Sequence, residues 1–499
     1  MTAQSARSAR PAGPVADTRH GRVRGTEGPH GTAVFRGIPY AAPPFGPLRF
    51  AAPRPPAPWD GVREAVAFGP TAPKGGYAPP FDALLPDPVI PGEDCLNLNV
   101  WTPALDGRAP VMVWLHGGAF LNGSGAVPSY DGTAFARDGV VCVSVNYRLG
   151  TDGYLALDGA PDNRGVLDQI AALAWVRDNI AAFGGDPDRV TVFGESAGAM
   201  SIAFLLAAPA ARGLFHRAIL QSGAHGLTVR PGTARRIAAH FAAGLGIEPT
   251  AEAFAAVPLD RLGPAQTALR AEAGARPDPA LWGEAARTMI PFAPVADDPA
   301  ALQAATDPGV PLLVGSTTEE YRLFTVPTGA IGLVGADRLR QAAAGYGLDP
   351  DAALKVYAAG RPDATPGDLL SAILTDWFFR IPALRLAEAA RQAHVYEFGW
   401  SSSAYDGRLG ACHGSEIPFV FDTLGDGVGG LLGPVPAPQA LADGMHAAWV
   451  AFATTGDPGW PAYTPRQRAV QHFGAPDPAA PRLLQDPRAA ERELWDGVR

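Results

Sequence analysis

Cysteine is scarce, with only Cys95, Cys142 and Cys412 among 499 residues. An odd trio without metal-ligand spacing argues against a disulfide framework and gives no sign of a metal centre. Basic charge is scarce as well. Lys+Arg number 40 against 49 Asp+Glu, a net charge of −9, and no dense Lys/Arg block follows the first dozen residues. A stripe able to neutralise phosphates or to dock on anionic lipid is therefore missing, and neither nucleic acid nor a membrane is an expected partner. No uninterrupted apolar stretch reaches the roughly 18 residues needed to cross a bilayer. The first 22 residues carry Arg7, Arg10 and Arg19 but no apolar signal core, so residues 1–20 are expected to be a disordered tail and the chain cytoplasmic.

Apolar residues make up 47% of the chain, alongside 59 Gly and 51 Pro. That combination describes a compact protein with many tight connections, not a low-complexity one. Length alone suggests two or three domains at about 150 residues each. The pattern of elements argues otherwise. Residues 96–101 alternate with period two, while 111–115 and 140–145 are continuous apolar runs of the kind found in strands buried on both faces. Residues 165–183 have helical spacing and end at Gly184-Gly185, 190–193 form a short strand, and 197–207 restart a helix of small residues. Strand signals return at 311–314 and 394–398, and a final helix covers 439–454. The alternation predicts an α/β fold with a mostly parallel central sheet covered by helices on both faces. An Ala-rich helical insertion over about 228–300 is expected to form a cap. No polar linker divides the chain, so residues 21–499 read as one elaborated domain.

The most informative segment is Gly194-Glu195-Ser196-Ala197-Gly198, placed between a strand and a helix. A serine on such a turn projects its hydroxyl away from the sheet, and the following helix aims N–H groups at the same place. The hydroxyl needs a base, and the base needs an orienting carboxylate. Among the downstream histidines, His413 lies in a loop of small residues before the apolar run 417–421, whereas His446 sits within a helical pattern and reads as structural. Glu319 and Glu320 follow the strand at 311–314 and are both candidates for the acid. His116-Gly117-Gly118-Ala119 follows the strand at 111–115 and can supply unobstructed backbone N–H groups to an oxyanion. Phe120, Leu121 and the segment around Trp377, Phe378 and Phe379 are candidate pocket walls, the last three equally being candidates for core.

These segments, with Phe35-Arg36-Gly37-Ile38-Pro39-Tyr40-Ala41, Glu93-Asp94-Cys95-Leu96-Asn97-Leu98, Asn146-Tyr147-Arg148-Leu149-Gly150, Gln221-Ser222-Gly223 and His413-Gly414-Ser415-Glu416, resemble type-B carboxylesterases over about residues 21–463. The resemblance is nearest to bacterial para-nitrobenzyl-type esterases and more distant to cholinesterases. It implies an α/β-hydrolase fold with a triad of Ser196, Glu320 and His413, and an oxyanion hole formed by the N–H groups of Gly118, Ala119 and Ala197. It also implies supporting roles for Gly117, Glu195, Ser222 and Glu416, a strand after His413, and a structural ion pair between Arg49 and Glu93. Ala72 stands where secreted animal members carry the cysteine that pairs with the one at Cys95, so Cys95 is expected to be a free buried thiol. Residues 72–94 contain no Trp, which withdraws support from choline esters. Asp152 departs from the family pattern and reads as solvated or as a negative group near the pocket.

The expected activity is hydrolysis of small to medium apolar esters through an acyl-enzyme on Ser196, with no cofactor or metal, in a monomer or weak homodimer. Amide or carbamate cleavage and acyl transfer use the same machinery, and a non-catalytic binding protein is a third reading for this fold. The intact Ser196, Glu320 and His413 argue against the last.

Overall fold

The computed structural model describes residues 13–298, 309–425, 430–474 and 482–499. A small sheet joins β1 (Val15–Thr18), β2 (Gly21–Arg24) and β5 (Val62–Glu64). The expected tail over 1–20 is therefore too long, because the chain is already a paired strand at Val15, while residues 1–12 lie outside the described ones.

The large sheet has eleven strands in the order β14-β13-β12-β11-β10-β9-β7-β8-β6-β4-β3. They are β3 (Thr26–Glu27), β4 (Ala33–Pro39), β6 (Asn97–Thr102), β7 (Ala109–Leu115), β8 (Val141–Val145), β9 (Gly185–Glu195), β10 (Arg217–Gln221), β11 (Leu312–Thr317), β12 (Ala393–Phe398), β13 (Ala469–Phe473) and β14 (Arg482–Gln485). Strands β8, β7, β9, β10, β11, β12 and β13 run parallel, and antiparallel strands extend both edges. The sheet is mixed but mostly parallel, as in an α/β-hydrolase. Every residue of β6, β8, β11 and β12 is buried, which suits the continuous apolar run of β8, whereas β6 buries Asn97 and Asn99 by giving their side chains hydrogen-bond partners.

Helices Arg164–Asn179 and Ala197–Ala207 cover one face with Val166, Leu173, Val176, Ile202 and Leu205, and helix Gln439–Thr455 buries Met445, Trp449 and Phe452 against the other. The insertion expected over 228–300 is helical, with helices Pro231–Leu245 and Leu259–Ala275 as its longest members; residues 299–300 lie outside the described ones. Between β11 and β12, helices Pro366–Thr375 and Ile381–Ala389 are joined by a π-helical turn, Asp376–Arg380. Among the described residues no helix is long and apolar enough to cross a membrane.

One expected element changes type. The apolar run at 417–421, read as a strand, is the short helix Ile417–Val420. Ile417, Phe419 and Val420 bury themselves against the Gln439–Thr455 helix and the aromatic cluster around Phe421, and a run this short fits either element until its neighbours are known.

Candidate active site

The carboxyl ends of β7, β9, β11 and β12 point toward one cavity of about 490 Å³, a size suited to a small organic ligand. Ser196 follows β9 with φ 54° and ψ −122°, a conformation costly for any residue with a side chain. Its neighbours impose that turn. A Cβ at Gly198 would lie 1.9 Å from the carbonyl oxygen of Leu115, so only glycine lets the helix start this close to β7. Ser196 is half-buried at the cavity wall, and Ala197 begins the helix Ala197–Ala207 with an N–H that has no intrahelical acceptor.

The loop after β7 turns sharply through Gly118 at φ 114° and Ala119 at φ 54°, while Leu121 N and Asn122 N both donate to Gly118 O at 3.0 and 2.9 Å. Gly117, Gly118, Ala119 and Ala197 all line the cavity. His116 stiffens the loop from behind: it stacks on Tyr147 with ring centroids 4.4 Å apart, and Tyr147 Oη donates to His116 O at 2.6 Å. Burial holds the imidazole of His116 down to about 3, so it is neutral, and its Nδ1–H donates to Gly117 O at 2.8 Å.

Glu320 is fully buried, and its Oε2 lies 2.6 Å from His413 Nδ1 while its Oε1 accepts from Thr317 N at 2.8 Å. Backbone bonds zip the two loops together, from Glu319 N to Ala411 O and from His413 N to Glu320 O. Glu319 instead ties the loops together away from the imidazole, its Oε2 accepting from Ala411 N at 3.0 Å and its other oxygen pairing with Arg322. Of the two adjacent carboxylates, open on the residues alone, Glu320 is the one that faces the imidazole.

The other nitrogen of His413 lies 3.1 Å from Glu195 Oε1. Glu416 is also fully buried, its Oε1 accepting from Gln221 Nε2 at 3.4 Å, and its Oε2 has no hydrogen bond with any described residue. Ser222 is fully buried at φ 49° with its hydroxyl likewise unpartnered. Burial raises Glu195 to about 7 and, with help from the Glu195 and Glu320 charges, Glu416 to about 8. Burial alone would lower His413, but Glu195, Glu320 and Glu416 together lift it to about 9. Phe324 and Phe379 pack their rings 5.5 and 4.6 Å from the imidazole, which keeps water from screening these charges.

A half-buried serine lining the same cavity as a carboxylate-held imidazole and a glycine loop suits acyl transfer, and comparison with known proteins decides the family. A model described as "Carboxylesterase family" matches residues 12–487. The chain belongs to this family. It is 39% identical over 495 residues to phenmedipham hydrolase of Pseudarthrobacter oxydans, covering 92% of this chain and 95% of that protein. It is also 39% identical over 482 residues to para-nitrobenzyl esterase of Bacillus subtilis, covering 90% and 92%. Among solved structures it resembles carboxylesterase EST55 of Geobacillus stearothermophilus, with TM-score 0.82 and 38% identity over 96% of this chain and 99% of that one. The chain is accordingly a carboxylesterase-family serine hydrolase of the type-B group.

Several expectations need correction. Phe120 and Leu121 do not line the cavity; Phe120 is fully buried against Tyr154. Phe378 and Phe379 do line it, but Trp377 does not, its ring lying under the Arg499 guanidinium. Arg49 does not pair with Glu93, which is exposed; its Nε lies 3.0 Å from Asp152 Oδ1, and it also donates to the carbonyls of Ala255 and Val257. Asp152 is thereby buried and paired, neither solvated nor part of the pocket. Cys95, Cys142 and Cys412 are free and buried. Among the described residues no group of three or more His, Cys, Asp or Glu is arranged to hold a metal.

Other contributors had no local signal. Residues 77–86 form one wall of the cavity, and Thr267, Arg270, Ala271 and Gly274 another. Lys74 and Asp87 form a buried ion pair that grips the end of the loop after β7: Lys74 Nζ donates to Gly123 O at 3.0 Å, and Asp87 Oδ1 accepts from Gly123 N at 3.1 Å. Two opposite charges thirteen positions apart in a Gly/Pro-rich stretch give no reason to expect this.

Proposed function

We propose that this carboxylesterase hydrolyses small to medium apolar esters through an acyl-enzyme on Ser196. His413 takes the hydroxyl proton as Ser196 attacks the carbonyl, and Glu320 stabilises the imidazolium that results. The N–H groups of Gly118, Ala119 and Ala197 receive the oxyanion, with Gly117 leaving room for it. His413 then protonates the departing alcohol, and water repeats the sequence on the acyl-enzyme. Glu195, Ser222 and Glu416 adjust the charge around His413. The observation that carries this reading is the 2.6 Å contact between Glu320 Oε2 and His413 Nδ1 beside a cavity that Ser196 also lines.

Covalent labelling with an organophosphate tests it: a single adduct on Ser196 and loss of turnover are expected, and an active enzyme left unlabelled there refutes the assignment. A carbamate reading has specific support in the 39% identity to a phenmedipham hydrolase. Rates on matched ester, amide and carbamate substrates rank the alternatives. Three free, buried thiols support a cytoplasmic protein, and sedimentation tests the proposed monomer or weak dimer.

A further inference from the structure

Of the residues lining the cavity, only Glu195, Arg270 and His413 carry or acquire charge at neutral pH. Glu195 and His413 face each other. Arg270 is left over. It is solvent-accessible, and it makes no ion pair or hydrogen bond with any described residue. Other exposed arginines also lack a carboxylate, but Arg270 is the one arginine among the residues lining the cavity.

The helix Leu259–Ala275 holds Arg270 at the cavity wall. Its inner face buries Leu262, Leu269 and Ala273, and Gln266 Oε1 accepts from both the backbone N and the hydroxyl of Thr151, at 2.8 and 2.9 Å. Glu272 meets His240 at 3.0 Å. With its rotation set by these contacts, the helix presents Thr267, Arg270, Ala271 and Gly274 to the cavity, residues three, four and seven apart on one face. Tyr77 lies on the neighbouring wall within electrostatic range of Arg270, and its hydroxyl has no hydrogen bond with any described residue. Neighbouring protein lowers the pKa of the guanidinium by partial desolvation, while the side chain stays open to solvent at the cavity wall.

We infer that Arg270 is a specificity-determining residue, and that the esters this enzyme prefers carry a carboxylate, separate from the scissile ester, which Arg270 binds at the cavity wall. The guanidinium offers a planar fork of N–H donors matched to a carboxylate, and the apolar remainder of the cavity strengthens such a pair by limiting screening. This inference rests on the proposed esterase activity and names its substrate class more narrowly.

The test uses the full-length enzyme and two matched ester pairs. One pair is 4-nitrophenyl hydrogen glutarate against 4-nitrophenyl pentanoate, with the carboxylate on the acyl side. The other is 4-carboxyphenyl butyrate against 4-carbamoylphenyl butyrate, with the carboxylate on the alcohol side. The readout is the ratio of kcat/KM for the charged member over the neutral one. In at least one pair Arg270→Gln is expected to lower this ratio about tenfold, chiefly through KM, with Arg270→Lys falling between. Added salt should lower the ratio in the parent and leave it nearly flat in Arg270→Gln. Turnover of neutral and charged esters with ratios independent of Arg270 and of salt overturns this inference alone. Turnover of no ester by the parent overturns the esterase reading and this inference with it.

Discussion

Replacing Glu195 by Gln should move the activity profile to lower pH. His413 works as a base only when neutral, and it is lifted to about 9 because the charges of Glu195, Glu320 and Glu416 outweigh its burial. Glu195 makes the largest purely Coulombic contribution of the three, its Oε1 lying 3.1 Å from Nε2. At an effective dielectric of about 20, two unit charges at that separation interact by roughly 5 kcal/mol. A change of one pH unit corresponds to about 1.4 kcal/mol. Glu195 is itself held at about 7 by its burial, so it is only partly ionised near neutrality and the cluster shares its protons. Even a quarter of the Coulomb figure moves His413 by about one pH unit. The sign follows from charge: an adjacent anion favours the imidazolium, so removing it lets the proton leave at lower pH. Measured by pH-stat from about pH 5.5 to 9.5, the acid limb of kcat/KM should fall by about one unit in Glu195→Gln. A smaller shift in the same direction is expected for Glu416→Gln. A limb that stays in place or moves to higher pH would refute the view that an anionic Glu195 faces Nε2.

The two adjacent glutamates should separate cleanly, with Glu320→Gln lowering kcat by about 10³–10⁴ through loss of the imidazolium partner and Glu319→Gln lowering it less than tenfold; equal losses in steady-state assays would contradict the division of labour seen here. Ser196→Ala should abolish turnover with little change in Tm. Ser196→Gly should melt at or above the parent temperature, because the φ of 54° strains any side-chain-bearing residue by roughly 1–3 kcal/mol; a lower Tm for the glycine variant would argue against strain at this turn. Stability should decline from about pH 5 to 9. Glu195, Glu416 and His413 all have folded-state values above their ordinary ones, so the folded protein holds protons that the unfolded chain has released. Glu416→Gln should flatten that decline, raising stability at about pH 9 by roughly 1 kcal/mol or more, and an unchanged slope in thermal melts would remove Glu416 from the account.

What was legible beforehand was what the backbone itself demands. A serine held at positive φ against a neighbouring strand requires small residues at fixed offsets, so Gly194, Ser196 and Gly198 announce the elbow locally, as Gly117 and Gly118 announce the oxyanion loop. The imidazole was narrowed to His413 by its loop, but Glu320 was separated from Glu319 by resemblance alone, since nothing in two consecutive acids shows which will face a ring 93 positions away. Charge was visible throughout; its compensation was not. From sequence, Asp152 reads as solvated or as a negative group near the pocket and Lys74 gives no signal, yet one finds Arg49 across 103 positions and the other finds Asp87 beneath the loop after β7. A buried charge is tolerable only with a partner, and the partner is chosen by how distant loops pack, which hydrophobic periodicity does not encode. Arg270 falls outside that rule: it is exposed at the cavity wall where water can solvate it, so an anion there is not required by the fold, and the carboxylate inferred for it has to come from a substrate that displaces that water.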